Sequence, residues 1–219
     1  MLHYLQNLFQ ALDLVSLTDA LLRVAAILLC LTVHEVCHGL AALALGDPTA
    51  KARHRLSLNP LNHIDWFGLA MMFAAGFGWA KPVPVNPYYF KKPKQGMAFT
   101  ALAGPVSNFL LAFLAILVSW LIYSFAPYHE ALNVVFTFLL YSVAPLSIGL
   151  GLFNLLPFPP LDGSKVVAMF LPDRLYDLWM RYERIGILVL LVLSFADFGT
   201  NWIGGAIMNI YSGMLNLFY

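Results

Sequence analysis

Two long runs without a single charged side chain, residues 97–125 and 131–161, constrain this chain more than any other feature. A membrane span needs roughly 20 mostly apolar residues, and each run exceeds that. Composition points the same way. Of the 219 residues, 61% are hydrophobic and only 11% charged, and mean hydropathy is +0.77. Soluble domains carry roughly 45–50% apolar and about 25% charged residues. There is too little polar side chain to cover a surface in water, so lipid is the expected solvent. The same figures exclude disorder and a coiled coil, and a net charge of +1 leaves no basic field to hold a nucleic acid.

Residues 21–45 form a third span, apolar except for Arg23, His34, Glu35 and His38. The apolar stretch 185–196 and the uncharged stretch 198–219 read as a helical hairpin turning at Asp197. In residues 1–17, Leu2, Leu5, Leu8, Phe9 and Leu12 recur at helical spacing, which suits either a helix lying on the membrane interface or a frayed terminus. The first basic residue is Arg23, so the charged start of a secretory signal is missing. Cys30 and Cys37 are seven residues apart on one helix, about 10 Å between Cα atoms, too far for a disulfide. One membrane domain is expected, divided into an interfacial segment 1–18, a core 19–173 and a C-terminal hairpin 174–219.

Residues 66–80 are apolar but broken by Gly68, Gly76 and Gly78. If they cross the membrane, Lys51, Arg53 and Arg55 lie on one side and the other nine basic residues on the opposite side. If they re-enter, eleven of the 12 share one face and Arg23 stands alone. Lysine and arginine accumulate on the cytoplasmic side, which favours re-entry. The result is five spans, the N-terminus outside and the C-terminus inside. Irregular backbone at membrane depth needs cover from protein or a wet cavity. Beyond it, Pro82 and Pro84 remove the N–H groups along one side of an extended segment and leave those of Val83 and Val85 on the other. That segment is either a strand able to pair along one edge or a proline-stiffened loop.

His34-Glu-Val-Cys-His38 carries the chemistry. Residues four apart on a helix project from one face, one turn apart. Two imidazoles at that spacing suit one zinc ion at about 2.0–2.1 Å. Glu35, beside the first ligand, can take a proton from a water that the metal activates. With six histidines in the chain, chance would produce the pattern only about 0.002 times. Ionisable groups inside a span are costly and are kept for function. Glu35 lies ten residues in from Leu45, about 15 Å deep. The competing structural reading is a polar cluster that glues helices together.

A catalytic zinc takes three protein ligands, so one is still to be found. Asp162 is the only charged residue between Glu130 and Lys165, and it follows helix-breaking Pro157, Pro159 and Pro160, with Gly163 permitting a tight turn behind it. Alone it would read as an interfacial helix end; beside a helix short of one ligand it is the leading candidate. Cys37 is the rival, although a small packing role suits it better.

These features resemble the site-2 protease family of intramembrane zinc metalloproteases. The resemblance runs from about residue 20 to 170 and rests on five pieces: His34–His38, Asn59-Pro-Leu-Asn-His-Ile-Asp65, Gly78-Trp-Ala-Lys-Pro-Val-Pro-Val-Asn86, Ala103-Gly-Pro-Val-Ser-Asn108, and Leu161-Asp-Gly163. It is nearest to compact bacterial and archaeal members without extra-membrane domains. It implies His34, His38 and Asp162 as zinc ligands, Glu35 as the base, Asn154 as a residue that holds the substrate backbone, and a re-entrant β-hairpin after the first core helix. Trp66, where such members carry proline, and Cys37 inside the motif are departures that bear on loop shape rather than catalysis.

The expectation is therefore an all-α polytopic membrane protein with about five transmembrane helices and one small re-entrant β-hairpin between the first and second core helices. It would bind one zinc ion and cut transmembrane segments of membrane proteins towards the cytoplasmic face of a prokaryotic cell membrane. Val83 and Val85 would pair with the unwound substrate. The partners are a transmembrane protein or peptide and the lipid bilayer, with no nucleic acid; oligomeric state leaves no mark in the sequence. The alternatives are a membrane zinc transporter and an inactive substrate-binding relative. His54 and His63 read as solvated or interfacial loop histidines rather than metal ligands, His3 and His129 as surface residues, and Asn108 as a residue bonding across helices rather than meeting substrate.

Overall fold

The computed structural model describes residues 14–68, 80–182, 186, 189 and 200–219. Among the described residues, three helices are long and apolar enough to cross a membrane: Thr18–Ala44, Pro93–Phe125 and Glu130–Asn154. They correspond to the three core stretches expected from the sequence. The first belongs to α1 (Leu14–Ala44), which is followed by the short α2 (Thr49–Ala52). The others are α3 (Pro93–Phe125) and α4 (Glu130–Asn154). Two short helices, α5 (Asp162–Ala168) and α6 (Asp173–Arg181), and a 16-residue helix α7 (Thr200–Leu215) complete the order. Among the described residues there is no strand. The glycine-broken stretch expected to re-enter lies, from residue 69 to 79, outside the described residues, as does the N-terminal segment up to residue 13 and most of the first half of the expected C-terminal hairpin.

α3 is the central element. Leu110, Leu114, Val118 and Leu121 stand exposed along one face, a surface that lipid solvates. The opposite stripe buries Ala112, Ala115 and Ile116 against Ala26 and Cys30 of α1, Leu140, Val143, Ala144 and Ile148 of α4, and Tyr211 of α7. Small residues dominate because lipid competes with side chains for apolar contact, so close backbone approach is what favours helix association.

α4 contains a wide π turn over Phe138–Val143. Pro145, just beyond it, has no N–H to donate into the preceding turn, and the ladder widens there. Two carbonyls of the widened stretch find partners on other helices: Leu140 O accepts from Tyr211 Oη at 2.9 Å, and Val143 O lies 3.8 Å from Cys30 Sγ. The helix then ends at Asn154, seven residues before the end of the uncharged run, where Pro157, Pro159 and Pro160 forbid continuation. The turns that follow bring the chain to Asp162. Gly163 serves close approach rather than a left-handed turn: a Cβ there would lie 2.2 Å from Leu155 O. Lys94, at the start of α3, anchors the chain beyond α5 through Leu171 O at 2.8 Å and Asp173 at 2.6 Å.

Candidate metal centre

α1 presents His34 and His38 on the face that meets α3, and α5 begins with Asp162 facing them. His34 Nε2 and His38 Nε2 are 3.0 Å apart. Asp162 Oδ2 lies 3.1 Å from the first and 3.0 Å from the second. All three residues are buried, at 4%, 9% and 8% exposure. His38 Nδ1 is 2.7 Å from Thr100 O. A carbonyl can only accept, so the proton of a neutral His38 sits on Nδ1 and Nε2 carries a lone pair. That lone pair, the carboxylate oxygen and the second imidazole nitrogen converge on one point. Asp162 Oδ2 nevertheless has no hydrogen bond of normal geometry among the described residues.

Acceptors crowded this closely repel unless a cation stands among them. Tetrahedral ligands at about 2.0–2.1 Å from a zinc ion are separated by about 3.3–3.4 Å, within a few tenths of an ångström of the observed triangle. The donor set, two imidazoles and one carboxylate, is that of a catalytic site that keeps one position open. The residues fit the metal.

Two further parts of the site come from α3. Pro105 inside the helix leaves Ala101 O without its N–H partner and crowds that turn, the turn in which Thr100 O meets His38. Gly104 forms the seat for both rings: a Cβ there would come within 2.5 Å of His38 Cε1 and 2.6 Å of His34 Cε1. Neither Thr100 nor Gly104 was singled out for a role from the sequence. The one signal was the Gly104-Pro105 pair in mid-span, a combination that costs helix stability and so needs a reason.

Glu35, next to His34 on α1, is tied to the segment that follows residue 80. Its Oε2 accepts the Val83 N–H at 2.8 Å. The segment Lys81–Asn86 belongs to no strand among the described residues, and Asn86 at its end has extended backbone (φ −114°, ψ 105°). Of its two N–H groups expected to meet substrate, that of Val83 is thus engaged, while that of Val85 has no partner among the described residues. Asn154 donates from Nδ2 to Leu150 O at 3.0 Å, within its own helix. Cys37 is a free thiol outside the triangle.

His63 is buried rather than solvated, at the end of a single 3-10 turn, Pro60–His63, with Nε2 2.8 Å from Ser57 O and its own carbonyl accepting the Lys81 N–H at 2.9 Å; it joins no metal-ligand cluster among the described residues. Asn108 bonds across helices as expected, through its backbone, with Asn108 O accepting from Ser147 Oγ at 2.8 Å. His54 and His129 are exposed as expected, and His129 Nδ1 caps α4 at the Ala131 N–H; His3 lies outside the described residues.

Comparison with known proteins gives the family. The family model described as peptidase family M50 matches residues 121–196, the part that carries Asn154 and Asp162. The chain is 37% identical over 182 residues to "Putative zinc metalloprotease YwhC" of Bacillus subtilis, covering 81% of each protein. It is 28% identical over 190 residues to "Putative zinc metalloprotease Rip2" of Mycobacterium tuberculosis, covering 84% of this chain and 70% of that one. No solved structure matches it. A helical membrane chain with two histidines one turn apart, a converging aspartate and relatives of this kind belongs to peptidase family M50, the site-2 protease family.

Proposed function

We propose that this protein is an intramembrane zinc endopeptidase that cuts transmembrane segments of membrane proteins near their cytoplasmic ends. The observation that carries the reading is the convergence of His34 Nε2, His38 Nε2 and Asp162 Oδ2 within 3.1 Å of one another inside apolar helices. These three residues would hold one zinc ion. Bound there, zinc supplies Lewis acidity, polarising the scissile carbonyl and making water a usable nucleophile near neutral pH. Glu35 takes the proton from the attacking water and returns it to the leaving amine. With Oε2 on the Val83 N–H, Oε1 is the oxygen left for that transfer. The Thr100 carbonyl keeps His38 in the tautomer that offers Nε2.

A helical substrate hides its peptide bonds, so it must unwind locally before the cut. In this reading the Val85 N–H pairs with the unwound strand and Asn154 holds its backbone. The topology we propose keeps five spans, with residues 66–80 re-entrant and the site towards the cytoplasm, as the distribution of lysine and arginine favours. Residues 19–173 form the catalytic core, flanked by an interfacial segment 1–18 and a C-terminal hairpin 174–219. A transporter would need ligands strung along a path; among the described residues the ligating side chains gather in one cluster.

The test compares wild type with Glu35→Gln in detergent, measuring cleavage of a model single-span substrate together with bound zinc. Both proteins should bind zinc and only wild type should cut, with a loss of at least about 10³-fold in the variant. Zinc in both and cleavage in neither would return the question to transport or an inactive binder.

A further inference from the structure

Asp47 is a carboxylate with no exposed surface, and the reaction just described does not use it. A buried charge has to be met by donors, and here three are supplied. Oδ1 accepts from the Thr49 N–H at 2.9 Å and, through a very short bond, from Thr49 Oγ1. Oδ2 accepts the Asn86 N–H at 2.6 Å. The carboxylate reaches this position because α1 ends in a Schellman turn: Gly46 has φ of +106° and its N–H meets Leu43 O, while the Asp47 N–H meets Ala42 O at 2.8 Å.

Asp47 and Glu35 therefore hold the same extended segment at two points, Asn86 and Val83. Two further contacts fix the start of that segment. Arg55 donates to Lys81 O at 2.8 Å, and Lys81 N–H donates to His63 O at 2.9 Å. The segment is pressed onto α1 where Gly39 leaves room, since a Cβ at Gly39 would lie 3.2 Å from Val83 Cγ1, and Val83 is 7% exposed. The Val83 N–H is a backbone donor, so its position is set by whatever fixes the segment.

We infer that Asp47 is a positioning residue for Glu35: by holding the Asn86 N–H it fixes the Lys81–Asn86 segment, whose Val83 N–H orients the Glu35 carboxylate. This rests on Glu35 being the base. Asp47 touches neither the ligand triangle nor the reacting atoms, and it acts through the backbone alone. Misplacement of a reacting group by about 1 Å can cost about 10²-fold in rate without loss of binding.

The experiment uses the full chain as wild type, Asp47→Ala and Asp47→Asn, with Glu35→Gln as the inactive reference. Four quantities are read on each: bound zinc, kcat, KM for a single-span substrate, and amide hydrogen exchange of peptides covering residues 81–86 and 28–40. Asp47→Ala should keep its zinc and leave KM within about twofold, while kcat falls at least about tenfold. Exchange should rise in 81–86 and stay level in 28–40. Asp47→Asn, which retains an oxygen for the Asn86 N–H, should recover most of kcat and of the protection. An unchanged kcat in Asp47→Ala, with 81–86 loosened or not, overturns the inference. So does loss of zinc and of 28–40 protection in both variants, which would make Asp47 a residue of general stability. If wild type binds zinc and cuts nothing, the protease reading fails and this inference falls with it; cleavage by wild type but not by Glu35→Gln, with Asp47→Ala indifferent, removes the inference alone.

Discussion

The pairing of α1 with α3 is held by different physics at its two levels. Around Ala26 and Cys30 the partners are Ala112, Ala115 and Ile116, and the contact is small, apolar and filled. One or two turns further towards the end of α1, around His34 and His38, the partners are Thr100 O and the bare backbone of Gly104. There the polar atoms face one another without satisfying one another, and Asp162 Oδ2 is left without a well-directed hydrogen bond. The first level stabilises the bundle and the second withholds stability for chemistry, since unmet acceptors at this depth are costly unless an ion completes them. One helix pair thus combines a scaffold with a site, and the boundary lies between Cys30 and His34.

Two substitutions would sharpen or break that contrast. Gly104→Ala places a methyl group against both rings, so zinc affinity should fall towards the upper end of the 10–100-fold range seen when the support of a metal ligand is disturbed, with thermal stability of the metal-free protein changed little. Calorimetric zinc titration beside a melting curve checks both. Ile148→Ala, at a fully buried site of the apolar level, should do the reverse. Its cost should be about 2 kcal/mol, the low end for such truncations, because the reference state in lipid is itself apolar. Unfolding in mixed micelles measures it, and zinc affinity should be unchanged. If Ile148→Ala weakened zinc binding as much as Gly104→Ala does, the two levels would not be separable.

The smallest effect belongs to neither level. Lys94 beside Asp173 holds that exposed carboxyl below its usual range. The folded form thus favours the charged carboxylate, so the pair contributes above the unfolded carboxylate pKa and its contribution is lost as pH falls through the folded value. Asp173→Asn should leave the melting temperature at pH 7 nearly unchanged, and any difference from wild type should close as the medium is acidified. A melting series across the acid range checks this.

The expectations from sequence succeed where the cause is local. Apolar stretches long enough to cross a bilayer, two of them uncharged, became the three long helices, and Pro157, Pro159 and Pro160 ended the third of them at Asn154. The four-residue spacing of His34 and His38 put both rings on one face, because helical pitch alone decides it. Asp162 could be proposed by elimination, as the single carboxylate at the end of an apolar run. The widened turn at Phe138–Val143 was not anticipated, though Pro145 was its local signal.

What only the tertiary structure decided are contacts between residues far apart in the chain. Thr100 O meets His38 across 62 positions, the Val83 N–H meets Glu35 across 48, and the Asn86 N–H meets Asp47 across 39. Backbone carbonyls and N–H groups have no residue identity: alternating prolines could mark the Val83 N–H as free, but nothing in the side-chain pattern marks its partner Glu35, or Thr100 O for His38. Gly104 is the same case: its role is the absence of a Cβ where two rings arrive from another helix. Sequence by itself determined which side chains could hold a metal and take up a proton, because those properties are carried by residue type and helical pitch. Packing decided how they are seated, tautomerised and aimed, because that depends on which backbones the fold brings within hydrogen-bonding distance.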